Sequence, residues 1–238
     1  MLALYVVDVS MLIGGAAEYL PGSAPEGSFD DDDEHEQHAT SRATNESVRI
    51  EILILAYYRR SMTRHVALLR AVNLGPHNKL PMKDLSAYFE TAGATDVKTF
   101  INSGNVIFTA PASKVSAIDK KVRAAIAKKH GFDAPMVFRT GAELAKVVRA
   151  VPFDEDALAH VHVTFFADAP KKKDVELLEP KRHDSESLVL RGRELYLHLP
   201  KGVGQTKLIA AFIDKTLGTF GTTRNIRTVT KLAELSAT

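Results

Sequence analysis

The chain contains no cysteine in its 238 residues. That excludes a disulfide framework, a thiolate nucleophile and any Cys-based zinc site, and it suits a reducing compartment, so the expected location is the cytoplasm. A membrane span is also missing: the apolar opening MLALYVVDVSMLIGG is too short and carries Asp8, and it lacks the basic n-region of a secretory signal. The stretch Pro200-Lys-Gly-Val-Gly-Gln-Thr-Lys207 has the small residues of a phosphate-cradling loop, but Thr206 precedes Lys207 and the spacing is short. It therefore fails the P-loop pattern, which argues against nucleotide hydrolysis while leaving anion binding at the following helix start open. No aromatic RNA-reading run of the Lys-Gly-Phe-Gly-Phe kind occurs either. No cofactor is expected.

What is present describes a soluble globular chain: 45% hydrophobic and 25% charged residues, enough for one good core or two small ones. The formal net charge of +2 conceals an asymmetry. The first 61 residues hold four Arg, no Lys and eleven acids, and the remainder carries 27 basic against 18 acidic residues. That surplus suits an anionic partner, or simply solubility.

Residues 1–61 read as a disordered or mis-annotated extension, with Met62 as the expected translation start. The competing reading is that Ile50 to Tyr58 adds an edge strand or helix to the core, as its β-branched and aromatic content permits. The acidic run Asp30 to His38 has no fixed geometry and is assigned no metal.

Beyond Met62 apolar periodicity separates helices from strands. A strand-length run from Arg64 to Arg70 leads to a helix over Pro81 to Ala92, with Leu85, Tyr88, Phe89 and Ala92 as its buried stripe and Gly93 as its stop. Strands at Val97 to Asn102 and Val106 to Thr109 are joined through Ser103-Gly104-Asn105, a hairpin signal because Gly and Asn tolerate positive φ. A helix from about Ser113 buries Val115, Ile118, Val122 and Ile126 and ends at Gly131, before a strand over Pro135 to Arg139. This β-α-β-β-α-β order predicts an α+β fold whose first lobe, residues 62–152, is ferredoxin-like, two helices covering one face of an antiparallel sheet.

A third helix follows, for which Thr140 and Glu143 have the spacing of a capping box. Residues 153–238 partly repeat the pattern and are expected to form a second helix-covered, mostly antiparallel lobe. Its parts are a strand at Val161 to Phe166, a helix near Lys171 to Leu178 and a hairpin of Leu188 to Leu190 with Glu194 to His198. A helix from Thr206, burying Leu208, Ile209, Phe212 and Ile213, and a last helix capped by Asn225 complete it. No residue-level repeat between the lobes is visible.

Three polar loops precede helices. Arg70, Asn73, His77, Asn78 and Lys79 surround the first helix start, where phosphate or carboxylate is attracted, although a capped turn with Arg70 and Lys79 in surface ion pairs is the favoured reading of the loop by itself. Ser103 lacks a neighbouring base and reads as a turn former more readily than as a nucleophile, and Asn102 and Asn105 offer amides either to a ligand or to their own hairpin. Phe220-Gly-Thr-Thr-Arg224-Asn225 repeats the theme ahead of the last helix. His160 and His162, two apart on a strand, share a face, but no third ligand is identifiable and no metal is assigned.

The segments LLRAVNLGPHNKLPMKDL, FINSGNVIF, LYLHLPKGVGQTKL and TTRNIRTVTKL, in that order, resemble the bacterial family called domain of unknown function 1697. Relative to the family's usual forms, Ala71 and Pro76 replace glycines, Asn102 replaces glutamine and Ile226 replaces tryptophan. The resemblance implies a two-lobed α+β protein with polar motifs clustered between lobes, and no activity.

The resulting expectation is a cytoplasmic protein that binds a small anionic or nucleotide-like ligand in an inter-lobe cleft lined by Arg70, Asn73, Lys79, Ser103, Asn105, Lys207, Arg224 and Asn225. One alternative is a nucleic-acid-binding module using a basic surface. The other is an enzyme acting on a phosphorylated or carboxylated metabolite, with Lys207 or Arg224 stabilising developing charge and no acid, base or nucleophile identified. No membrane partner is expected.

Overall fold

The computed structural model describes residues 48–50, 53 and 62–237. The chain divides into two units, Met1–Glu51 and Ile52–Thr238. Of the first, Val48 to Ile50 are described, as helix, with Val48 and Ile50 exposed. The acidic run, and Ile50 to Tyr58 apart from Ile50 and Leu53, lie outside the described residues.

The first four-stranded sheet is built from β1 (Met62–Leu69), β2 (Thr95–Phe100), β3 (Asn105–Pro111) and β4 (Met136–Thr140). Its order is β2-β3-β1-β4, and every pairing is antiparallel. Two helices, α1 (Met82–Ala92) and α2 (Val115–His130), bury Leu85, Phe89, Ile118, Val122 and Ile126 with Ala67, Leu69, Val106 and Phe108 of the sheet. Both helices stop at a left-handed glycine, Gly93 at φ 105° and Gly131 at φ 76°, a conformation that costs a residue without Cβ little. Pro81 lies one place before the helix it was expected to open, as the residue preceding Met82.

Helix α3 (Gly141–Arg149) leaves β4 directly. The expected capping box forms: the Thr140 hydroxyl accepts from the Glu143 N–H at 3.2 Å, and the Thr140 N–H donates to the Glu143 carboxylate at 2.7 Å.

The second sheet repeats the first. Its strands are β5 (Val161–Phe166), β6 (Ser187–Arg191), β7 (Glu194–His198) and β8 (Gly221–Asn225), in the order β6-β7-β5-β8 and again wholly antiparallel. A short helix, Lys172–Val175, runs on as a 3-10 turn, Glu176–Lys181, in place of the single helix expected there. Helix α4 (Ala210–Leu217) starts four residues later than the spacing predicts, because the Thr206 hydroxyl accepts the Leu208 N–H at 3.0 Å and closes a local turn. Ile209, expected in the core, is consequently 55% exposed. Helix α5 (Ile226–Ser236) begins as predicted with Asn225, whose side chain accepts the Arg227 N–H at 2.9 Å.

The repeat that identities hide is explicit in the register. In the first sheet Val66 pairs with Arg139 and His65 with Thr140; in the second Val163 pairs with Arg224 and His162 with Asn225. The strand ends match too: Leu69 N–H donates to Gly104 O and Phe166 N–H to Arg193 O, while Arg70 N–H donates to Pro135 O and Ala167 N–H to Phe220 O. A shared core then joins the halves. Val66, Leu68, Ile107 and Val137 of the first sheet pack with Val161, Val163, Phe165 and Tyr196 of the second, and with Leu144, Val147, Val229 and Leu232 of α3 and α5. Each half contributes a sheet face and a helix to this one core, so the two are held by the same burial that holds each sheet.

The matched histidines have a common electrostatic consequence. Burial lowers the pKa of both His65 and His162 from the ordinary 6.5, against a hydrogen bond from each ring to a backbone carbonyl that works the other way. The folded state therefore binds fewer protons than the unfolded chain, and the stability involved is complete above about pH 6.5 and declines as pH falls below it toward the lowered values. Urea unfolding at several pH values between roughly 5 and 7.5 should show that decline, and the double variant His65→Gln, His162→Gln should flatten it; an unchanged slope would remove the two rings as its cause.

Candidate functional site

Arg224 stands at the end of β8 with its guanidinium inside the protein, 8% exposed as a residue. All of its N–H groups have acceptors. Nε donates to Asn105 Oδ1 at 2.6 Å, Nη1 to Thr222 Oγ1 at 2.8 Å and Thr223 O at 2.9 Å, and Nη2 to Leu69 O at 2.7 Å, Ser103 O at 3.0 Å and Gly104 O at 3.3 Å. None of these acceptors is a carboxylate. Burial without an anionic partner pushes the guanidinium pKa down to about 10, which still leaves it charged near neutrality.

The positions of these acceptors explain the sequence around them. Asn105 is fully buried, and its amide also donates to Phe100 O and to Ser103 Oγ, so it holds the hairpin while receiving Arg224. Gly104 has φ +73°, and a Cβ there would lie 2.5 Å from Val72 Cγ2 and 2.8 Å from Leu69 Cβ. The hairpin departs from expectation at its other left-handed residue, which is Ile101 at φ 49°; Asn105 is already strand.

Arg139 occupies the matching place on β4 and reaches into the opposite half. It donates to Glu194 Oε1 at 2.8 Å, to Phe166 O at 2.9 Å and to Arg193 O at 3.5 Å, the counterparts of Asn105, Leu69 and Gly104. Two arginines thus cross between the halves in opposite directions. Arg139 has a carboxylate; Arg224 has an amide.

The loop from Arg70 to Pro81 is organised by Asn73. Its Oδ1 accepts the Leu80 N–H at 2.8 Å, and its Nδ2 donates to Leu80 O at 2.9 Å and to Asn102 O at 2.8 Å, tying this loop to the β2–β3 hairpin. Ala71, Asn73 and Asn78 join Ile101 at positive φ, so four of the five such non-glycine residues among those described sit in these two loops. The two loops border an open pocket of about 370 Å³ lined by Asn73, the one positive-φ residue in its wall, with Lys79, Leu80, Pro81, Met82 and Asn102. Its floor includes the start of α1, where no side chain caps the helix, and Lys79 stands exposed at its rim.

The eight expected ligand contacts therefore have unlike positions. Asn73 and Lys79 line the pocket, whose walls all come from the first half rather than from between the halves. Ser103, Asn105 and Arg224 meet as expected, but in a closed internal network. Arg70 ion-pairs with Asp214 of α4, whose other oxygen accepts the Gly221 N–H. Asn225 caps α5 and donates to Ala159 O. Lys207 is exposed on the loop before α4 and lines neither this pocket nor the one described below. Phe108 is buried and Phe100 is partly covered by the shared core, which leaves neither ring standing free on its strand.

A second cluster was not anticipated from the sequence: Arg139, Glu143, Lys146, Arg191, Arg193 and Glu194. Its one legible signal was the Glu143 capping position. Arg193 Nη2 donates to Glu143 Oε1 at 2.9 Å, and the group, Arg139 apart, borders a pocket of about 180 Å³.

Residues 62–196 match the model of a family described as protein of unknown function (DUF1697). The chain belongs to this family. Among solved structures, that of a conserved bacterial protein, SP0830, from Streptococcus pneumoniae is similar at 21% identity with a TM-score of 0.60, covering 74% of this chain and 99% of that one. That likeness supports the α+β fold and, at this identity, nothing about chemistry. No curated protein matches. Among the described residues no helix is long and apolar enough to cross a membrane, and no three His, Cys, Asp or Glu side chains converge as a metal site would require.

Replacing Arg224 by Ala strands the Leu69, Ser103 and Gly104 carbonyls and Asn105 Oδ1 inside the protein, for an expected loss of at least about 3 kcal/mol in urea unfolding. Arg224→Lys should recover little of it, because one ammonium lacks the planar fork that spans three carbonyls. A loss under about 1 kcal/mol for Arg224→Ala would contradict this role.

Proposed function

We propose that the protein binds a small anion, a phosphate or the phosphate of a nucleotide, in the pocket at the start of α1. The observation that carries this reading is the pocket itself: about 370 Å³, open, floored by a helix start without a side-chain cap, and rimmed by the exposed Lys79. The first amides of such a helix point outward and carry partial positive charge. Arg224 adds a fixed charge behind the hairpin: it holds the carbonyl of Ser103, the neighbour of the pocket-lining Asn102, and no carboxylate cancels it. The positive-φ residues of the two loops support the reading as well, since local strain is concentrated where a surface must hold an unusual shape. In this account Asn73, Ser103, Asn105 and Arg224 shape the pocket from behind, and Lys79 meets the ligand.

The same reading takes the fold to be a ferredoxin-like lobe, residues 62–152, and a related helix-covered lobe, residues 153–238, and the location to be the cytoplasm. The shared strand order supports the former and the absence of cysteine the latter. Helices cover one face of the first sheet and the shared core covers the other, so nucleic acid has less support than a compact ligand.

Thermal unfolding at low salt with inorganic phosphate and with nucleoside mono- and triphosphates tests the proposal. At least one should raise the midpoint by several degrees, since about 1 kcal/mol corresponds to roughly 2–4 °C in a chain of this size. The rise should vanish in Lys79→Ala. Failure of every phosphate to shift the wild-type midpoint would overturn the reading.

A further inference from the structure

We infer that the pocket between α3 and the β6–β7 hairpin is a second binding site, for a small monocarboxylate with an apolar body, of the size of benzoate. The pocket is bounded from the first half by Glu143, Lys146, Val147 and Ala150, and from the second by Arg191, Arg193, Glu194 and Tyr196. It measures about 180 Å³. A cavity on the order of 150 Å³ is enough for a benzene ring, so a ring or short chain with one carboxylate fits while larger metabolites project into solvent.

The charge arrangement selects the ligand. Both carboxylates in the wall are already held. Glu143 receives Arg193 on one oxygen and the Thr140 N–H and hydroxyl on the other. Glu194 receives the buried Arg139. Lys146 and Arg191, in contrast, have no hydrogen-bond or ion-pair partner among the described residues. The wall thus presents two cations with unused donors, set among two neutralised pairs. With Arg139 counted, four positive groups stand against two carboxylates, and the two cations left over can each take one oxygen of a single ligand carboxylate; what sets such a ligand apart from phosphate is its apolar body. The Arg191 guanidinium offers the planar fork that pairs with a carboxylate, and Lys146 supplies a point charge beside it.

Behind the charged groups the wall is firm. The Tyr196 hydroxyl donates to Val147 O at 3.0 Å, and burial, with the nearby Glu194 charge, pushes its pKa up to about 12, so the phenol stays protonated and bonded to α3. Tyr196 and Val147 are almost wholly buried and back the pocket, so an apolar body would lie against Ala150 and the aliphatic stems of Lys146 and Arg191. Because the two walls belong to different halves, a ligand seated here contacts both, and its binding also resists their separation.

This site is independent of the pocket at the start of α1, with which it shares no lining residue. Titration of benzoate into the whole protein, followed by ligand-observed saturation-transfer NMR and by calorimetry, tests it. Saturable binding is expected at millimolar concentration or below, weakened about tenfold or more by Arg191→Ala and further by Lys146→Ala, unchanged by Lys79→Ala and not displaced by equimolar inorganic phosphate. Both substituted side chains lie at the surface, so the variants should keep the wild-type unfolding midpoint without ligand, which separates lost binding from lost folding. Absence of benzoate binding, binding indifferent to Arg191→Ala and Lys146→Ala, or binding that follows Lys79→Ala would overturn the assignment.

Discussion

Two buried arginines, reaching across the molecule in opposite directions, are the interaction on which the arrangement of this protein depends. Arg139 enters the second half where β5 ends and β7 begins; Arg224 enters the first half where β1 ends and β3 begins. A strand end beside a hairpin leaves carbonyls without ladder partners, and a guanidinium with five donors in a plane satisfies several of them together. The apolar core between the sheets would tolerate sliding, because dispersion and burial are not directional. The arginines make the contact directional. Hence the two sheets have a defined relative placement, and the pocket between α3 and the β6–β7 hairpin, whose walls come from both, has a defined shape.

The asymmetry between the two crossings bears on chemistry. Arg139 meets Glu194 and forms a closed pair, whereas Arg224 meets Asn105 and retains its charge in a region of low polarisability. Two halves of the same strand order thus differ at one acceptor, carboxylate in one half and amide in the other. The amide-bearing half is the one with the strained loops, the hairpin carrying Ile101 at positive φ and the larger pocket. Side-chain donors that looked available for a ligand are in fact the supports of that pocket, and the cation left to face solvent there is Lys79.

Much of the local structure was legible in the sequence because its causes are local. The Thr140–Glu143 box, the Asn225 cap, the stops at Gly93 and Gly131 and the buried stripe of Leu85 and Phe89 each follow from interactions within a turn or two of chain. The errors were at places where a neighbour in space or a competing turn decides. Thr206 closes a turn and delays α4; Ile101, a poor residue for positive φ, is held there with the next two carbonyls of its turn, those of Asn102 and Ser103, fastened to Asn73 and Arg224. As for the candidate site, Asn73 and Lys79 were expected in a cleft between the lobes and instead line a pocket within the first half, while Arg224 and Asn105 were expected to face a ligand and instead bond to each other. The charged cluster around Glu143 and Glu194 was missed, because its members come from α3 and a hairpin more than forty residues away and show no spacing in the chain.

The amino-acid order determined the elements, their order along the chain and the residues with an apolar face to hide, since each of these depends on short-range sterics and on the periodicity of hydrophobic positions. Only the folded chain decided which polar groups remain free. A guanidinium and the carbonyls it satisfies lie more than a hundred residues apart here, and whether Arg224 receives a ligand or the backbone is settled by which half of the molecule closes over it. Desolvation makes that choice consequential: once buried, every donor must find an acceptor within the protein, and such pairings are set by three-dimensional proximity rather than by position in the sequence.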